Sequence, residues 1–361
     1  MIRIRRARPQ IWMRREHLIA AALVAAGFAL AAALIAATGG DVGAALAGWW
    51  HGAFGTRYYT VQTLAAATPL VLIAVGASVA LRAGVIVVGA EGQMIAGAIA
   101  AAAVGLSSAG DTSAVVALPL GALAGAFGGA AWSLLPGVAL VRWGVNEILS
   151  ALLANYIAVQ VLSYVLRTVL RDPAGAATPQ SASLPDPALI PQLAQPGRLS
   201  AAAIVVLALV AAAAWWHRSR SALLLEVYAR RRWLAERLDM TARTAVVTTT
   251  LISGASAGLA GWIQLAGADE RLHPGISGGI GFSGLVVAVL GGGRPVPILL
   301  AGVGFAALGT GAGGIQLLTG TPAAIGTVVQ ALLLGAGAVA LAQFRRSAAR
   351  RAVQRPGGGD G

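Results

Sequence analysis

Few side chains in this sequence could do chemistry, and those that could are set in apolar surroundings. Glu91 and Gln93 sit in GAEGQ at 89–93, Asn146 and Glu147 open VNEILSALLANYIA at 145–158, Asn155 lies deeper in that stretch, and Gln264 stands in a later apolar run. None has the companion that catalysis needs: the sequence holds no paired carboxylates at a hydrolytic spacing, no nucleophile elbow and no phosphate-binding loop. The histidines, His17, His51, His217 and His273, are scattered without metal-ligand spacing, and cysteine is absent. No catalytic residue, metal site or cofactor is therefore expected. An amide or carboxylate inside an apolar segment does one of two other things: it faces a path for a polar solute, or it hydrogen-bonds a neighbouring segment.

Each candidate carries both readings. At 1.5 Å per residue Glu91 lies about 10 Å from the end of its apolar segment, where a carboxylate is expensive and faces a cavity or a partner. The alternative is a structural hydrogen bond that locks a helix broken by the surrounding glycines. Asn146 is a good N-cap and Glu147 meets the positive end of a helix dipole, so capping alone accounts for both. Asn155 and Gln264 have the depth at which amides hydrogen-bond another helix. Glu91, Gln93, Asn146, Glu147, Asn155 and Gln264 are the candidate substrate-pathway residues.

The elements that must position these groups are membrane helices. Of 361 residues 57% are apolar and 11% charged, whereas a soluble domain carries about a quarter charged residues. Several stretches reach the roughly 20 apolar residues that cross a bilayer. Apolar segments run over 17–38, 60–80, 85–106, 112–138, 145–166, 199–216, 244–267, 281–292, 296–318 and 323–343, which predicts an all-α polytopic membrane protein of about ten transmembrane helices. The eighth is short and glycine-rich enough to be a re-entrant hairpin. The run from Leu18 to Ala37 exceeds the 7 to 15 residues or so of a signal-peptide core, so it is expected to be a retained first helix.

Charge sets the orientation. All 26 basic residues are arginine and the formal net charge is +13, but the arginines cluster beside apolar segments rather than forming a soluble basic face. With the N-terminus inside, only Arg57, Arg167, Arg171, Arg198 and Arg271 fall outside, as the positive-inside rule requires. The expected domains are a basic cytoplasmic tail at 1–17, a transmembrane domain at 18–344 and a basic cytoplasmic tail at 345–361, in a bacterial inner membrane. Within the membrane domain, 171–198 is a proline- and serine-rich outer connection, either an irregular cap or a flexible loop, and 217–243 is an arginine-rich inner loop.

Two sets of five spans imply inverted repeats, with the third span of each half broken by glycine: Gly89, Gly92 and Gly97 in one, Gly279, Gly281 and Gly284 in the other. Gly121, Gly125 and Gly129, like Gly254 and Gly258, recur every fourth residue, the pattern of close helix packing in lipid. In the inner loop Leu224, Val227, Leu234 and Leu238 fall along one face of an amphipathic helix interrupted by Arg231, and Glu226 precedes Arg230 by one turn.

GAFG at 52–55, TLAAATPL at 63–70, LRAG at 81–84, GAEGQ at 89–93, VNEILSALLANYIA at 145–158, SGASAGLAG at 253–261 and GIGFSGLVVAVLG at 279–291 together resemble the permease subunits of bacterial ABC importers for nucleosides and simple sugars, within the branched-chain amino acid and sugar permease superfamily. GAEGQ followed by VNE and NY is similar to the longer of the two paralogues such systems pair. The chain has Val87 where that family often has asparagine, and LEVYARRRWLAERLDM at 225–240 where it has a glycine-asparagine-proline pattern. The resemblance implies an ATP-driven importer of a small polar solute, with hydrolysis on a partner ATPase carrying the nucleotide-binding modules, a second permease forming a heterodimer, and a periplasmic or lipoprotein substrate-binding protein. It also implies that the inner loop docks the ATPase, for which the helical spacing offers Leu224, Glu226, Val227, Arg230, Leu234 and Leu238 as the contact residues; the alternative is a basic helix lying on anionic lipid. An ion-coupled secondary transporter is the competing class, and it should bury coupling carboxylates of which only Glu91 is an obvious deep example. A membrane-embedded enzyme lacks visible machinery.

Overall fold

The computed structural model describes residues 41–319 apart from 174–177 and 195, together with 29, 32, 33 and 36. The spans expected at 17–38 and 323–343 and both basic tails lie outside the described residues. Contacts divide the chain into two compact units, Ala53–Thr310 and the segments that flank it, Met1–Gly52 with Gly311–Gly361. Within the flanking unit, a Cβ at Gly52 would stand 2.5 Å from the Gly314 Cα, so backbones meet there without room for side chains.

Every regular element among the described residues is helical: α1 Val42–Phe54, α2 Arg57–Arg82, α3 Ala90–Gly105, α4 Ala114–Trp143, α5 Glu147–Arg167, α6 Ala202–Trp216, α7 Arg220–Arg230, α8 Arg232–Glu236, α9 Ala242–Gln264 continued by a π turn over Leu265–Asp269, α10 Ile280–Leu290 and α11 Pro295–Thr319. A short 3-10 turn at Asp186–Ala188 and one β-bridge between Gln192 and Ser200 complete them. Among the described residues five helices, α2, α4, α5, α9 and α11, are long and apolar enough to cross a membrane; α6 and α7, bent by 68° at their junction, make a sixth if taken as one broken span. The chain is thus a multi-pass membrane protein. The apolar segments at 60–80, 112–138, 145–166, 244–267 and 296–318 match these long helices within a few residues, and 199–216 matches α6. Helix α1 occupies what the sequence reading leaves as a connection: with 13 residues it is too short to register as a span.

Polar residues start the helices where free N–H groups need acceptors. Thr56 Oγ1 accepts from the Tyr59 N–H at 3.3 Å, Ser219 Oγ from Ala222 at 3.3 Å and Thr241 Oγ1 from Thr244 at 3.2 Å. Helix α2 is the centre of the larger unit, buried at every residue from Ala67 to Ala80. Helices α6, α9 and α10 pack on it, and α9 also packs on α3 and α4. The α4–α9 contact uses the glycine stripes: a Cβ at Gly125 would lie 3.0 Å from the Gly258 carbonyl oxygen, and one at Gly254 2.6 Å from that of Gly129. Those glycines let two backbones touch.

The connection over 171–198 is an irregular cap rather than a free loop, within its described residues. Ser181 and Leu184 donate their backbone N–H groups to the carbonyls of Leu272 and Glu270, Ile190 to that of Ala266, and Gln192 Nε2 to that of Gly267. Leu184, Ala188 and Ile190 are buried beneath it.

Candidate functional site

The two glycine-broken segments are α3 and α10, and Glu91 joins them. Residues 83–89 leave the helical path before α3, and both N-caps, Gly89 and Gly279, lack a side chain to accept from the first turn. Glu91, in the first turn of α3 and 7% exposed, supplies the acceptor for α10: its Oε1 takes the Gly279 N–H at 3.0 Å and its Oε2 the Gly281 N–H at 2.9 Å. One carboxylate so meets the positive ends of two helices, its own and the one it caps. Gly279 has φ 79°, and Gly281 lies so close to Glu91 that a Cβ there would overlap the Glu91 N and Cα. A side chain at 281 would push α10 away and open the clamp.

Asn155, on α5, braces the same break from the other side. Its Oδ1 accepts the Gly92 N–H at 2.9 Å and its Nδ2 donates to the Val88 carbonyl at 3.2 Å, so one amide satisfies backbone groups on both sides of the α3 start. A Cβ at Gly92 would stand 3.0 Å from Asn155 Oδ1 and 2.8 Å from Trp132 Nε1. Gln93 is 1% exposed, and neither of its amide atoms has a hydrogen-bond partner among the described residues; the same holds for Trp132 Nε1 and Ser253 Oγ.

The remaining candidates stand apart from this brace. Asn146 caps α5, its Oδ1 accepting from Ile148 at 3.0 Å and Leu149 at 3.4 Å, with Glu147 in the first turn. Gln264 turns its Nε2 to Asp269 Oδ2 at 3.0 Å, and His273 Nε2 approaches the same oxygen at 3.2 Å. The structure thus gathers Glu91, Gln93 and Asn155 around one broken helix. Trp132 escapes the sequence reading because nothing in a glycine- and alanine-rich stretch tells which face meets Gly92. Gln160, a polar residue inside a span, gives a readable signal that the candidate set passes over.

The inner loop departs from its expected single helix. Arg231, with φ −147° and ψ 78°, breaks it into α7 and α8, and the buried residues are Ala222, Leu225, Tyr228 and Ala235. Leu224, Val227 and Leu234 are half-buried and Leu238 is exposed, so the expected stripe lies beside the buried face, with Val227 packed against the core at its edge. Glu226 and Arg230 form the i,i+4 pair at 2.7 Å, on the surface. Helix α7 rests on α2 and α9, and Leu225 and Tyr228 share a core cluster with Val79, Ala80 and Val246.

His217 lies at the α6–α7 corner. Its Nδ1 is 2.8 Å from the Ala213 carbonyl oxygen and its Nε2 3.1 Å from that of Gly293, while Arg82 donates to the His217 carbonyl at 3.4 Å. Burial first, then the Arg82 charge, hold the imidazole pKa below its ordinary value against the smaller pull of the two carbonyls.

The permease family described as "Branched-chain amino acid transport system / permease component" matches residues 59–337. The chain is 32% identical to the guanosine ABC transporter permease protein NupP of Bacillus subtilis, over 89% of this chain and 93% of that one. It is also 32% identical to the glucose ABC transporter permease protein TsgB13 of Haloferax volcanii, over 61% of each chain. No solved structure matches it. A match that takes in both broken helices and the clamp between them, with a relative aligned nearly end to end, makes this chain a member of the branched-chain amino acid transport permease family, an ABC-type membrane permease subunit and not itself an enzyme.

Proposed function

We propose that this protein forms the membrane pathway of an ATP-driven importer for a neutral polar solute, a nucleoside or a simple sugar. The observation that carries the reading is the pair of broken helices, α3 and α10, held start to start through Glu91, which is how transporters place a non-helical backbone at membrane depth. Both Glu91 oxygens are taken by backbone amides and the carboxylate is buried, so this acid at membrane depth presents no free charge to a solute. That favours a neutral solute over a charged one, in keeping with the guanosine and glucose named for the two relatives.

Ten spans in two inverted five-helix repeats follow from this reading, with both termini cytoplasmic in a bacterial inner membrane. The crossed packing supports it: α3 lies against α9, and α10 against α2. In this scheme Glu91, Gln93, Asn155, Asn146, Glu147 and Gln264 shape the pathway or the ends of its helices. The partners are an ABC ATPase, a second permease as heterodimer mate and an external substrate-binding protein. The loop over 217–243 docks the ATPase, with Leu224, Glu226, Val227, Arg230, Leu234 and Leu238 on or beside its contact face. Its position supports this, because α7 sits on α2 and α9 and can pass a push to the centre of the bundle. The test is uptake of labelled guanosine and labelled glucose by cells expressing the chain with its neighbouring transport genes. Accumulation of one of them that this chain's deletion abolishes is expected; unchanged uptake of both would refute the solute class.

A further inference from the structure

We infer that the exposed face of α5 lines the water-filled pathway, with Tyr156 and Gln160 contacting a neutral solute that presents a ring face and a hydrogen-bonding edge; this rests on the transport reading above. The buried face of α5 is Ala151, Ala154, Asn155, Ala158, Leu162 and Leu166. At about 100° per residue Gln160 points directly opposite it, flanked by Tyr156 and Tyr164 one turn away on either side. All three are exposed, Tyr156 at 72% and Tyr164 at 65%, and with Ile157 and Val161 they line a shallow groove.

Three occupants of this face are conceivable, and the residues separate them. Lipid is disfavoured: Gln160 lies about 10 Å from the C-terminal end of α5 and about 20 Å from its N-terminal end, where an amide with no partner is costly. The exposed large side chains of α4, Leu123, Phe127 and Leu135, show what a lipid face looks like, being wholly apolar. Tyr164 by itself would fit an interfacial aromatic belt, but Tyr156 and Gln160 lie too deep for that. A closely packed partner helix is disfavoured as well, because in this protein tight helix contacts are made by glycine and alanine, and the exposed residues of this face, Leu149, Leu153, Tyr156, Ile157, Gln160 and Tyr164, include neither. Water and a polar solute satisfy both the amide and the phenols. An aromatic ring followed one turn later by an amide is suited to a solute with a flat face and donors and acceptors at its rim.

The test uses the assembled transporter in native membranes and single-cysteine variants, since the chain has no cysteine of its own. A membrane-impermeant charged thiol reagent should modify Gln160→Cys and Tyr156→Cys at least tenfold faster than Phe127→Cys. Saturating guanosine or glucose, whichever the system takes up, should slow modification at 160 at least threefold. Two results overturn the inference: reactivity at 160 and 156 no higher than at 127, whether or not 160 cross-links to a second permease, or reactivity that neither solute slows. ATP-driven uptake measured in the same membranes separates the two levels. Uptake intact with an unreactive face removes the inference and leaves the function, while loss of uptake by the wild-type system refutes the function itself.

Discussion

The Oε2 atom of Glu91 lies 2.9 Å from the backbone nitrogen of Gly281, 190 residues further along the chain. Together with the Gly279 contact, this bond ties the starts of the two broken helices. It requires an oxygen that only accepts, twice over. Glu91→Gln keeps one acceptor but turns an amide N–H₂ toward a backbone N–H, whereas Glu91→Ala leaves both N–H groups without a partner. Each charge-assisted bond lost costs about 1.5–3 kcal/mol. Uptake and thermal stability in detergent should both fall in the order wild type, Gln, Ala. Full activity and stability in the two variants would show that the clamp is dispensable.

Gly281→Ala tests the same contact from the other side. The added Cβ overlaps the Glu91 backbone, and overpacking of this kind costs about 1–3 kcal/mol. Gly304→Ala is the control, because nothing stands within 4 Å of its Cβ and alanine is favoured in a helix by about 1 kcal/mol. The yield of monodisperse protein should drop for the first and hold for the second.

How far the sequence reaches is visible in these residues. The long helices are legible because roughly 20 apolar residues can do little else, and the glycine stripes of α4 and α9 are legible because their spacing states a packing rule. Glu91 and Asn155 stand out by depth, and their need for partners is clear. Their partners are not, since Gly281 and Gly92 are chosen by how helices far apart in sequence meet. In the inner loop the apolar stripe and the Glu226–Arg230 pair are legible from spacing, but the break at Arg231 is not, nor is the burial of Leu225 and Tyr228 on the neighbouring face of α7, which depends on how that helix lies on α2 and α9. Gln160 was readable as a polar residue in a span, but its direction depends on which face of α5 the rest of the bundle covers.

His217 gives a pH dependence. Its folded pKa lies below the ordinary value of 6.5 because burial and Arg82 oppose the charge. The stability it contributes is therefore present above the unfolded pKa and is lost as pH falls through the lower, folded one. The melting temperature should decline as pH drops from about 7 toward 5, and His217→Gln, which cannot protonate, should flatten that decline. A wild-type stability that rises on acidification would reverse the sign and refute the assignment.

Docking of an ATPase on the inner loop predicts that Leu234→Asp and Leu238→Asp leave membrane abundance unchanged while reducing uptake at least about fivefold, a loss of roughly 1 kcal/mol in coupling. Cysteines at the same two positions should cross-link to the ATPase in a nucleotide-dependent way. Cross-linking to lipid alone, with normal coupling, would support the membrane-surface reading.

The central claim is that this chain moves solute only when a partner hydrolyses ATP, and reconstitution tests it most directly. Vesicles containing the chain with its ATPase and second permease, supplied with the substrate-binding protein and labelled guanosine or glucose on the outward-facing side and with ATP on the other, should accumulate one solute. That accumulation should vanish when the nucleotide-binding lysine of the ATPase is replaced. The chain alone, under a proton or sodium gradient, should accumulate neither; gradient-driven accumulation by the chain alone would contradict the account.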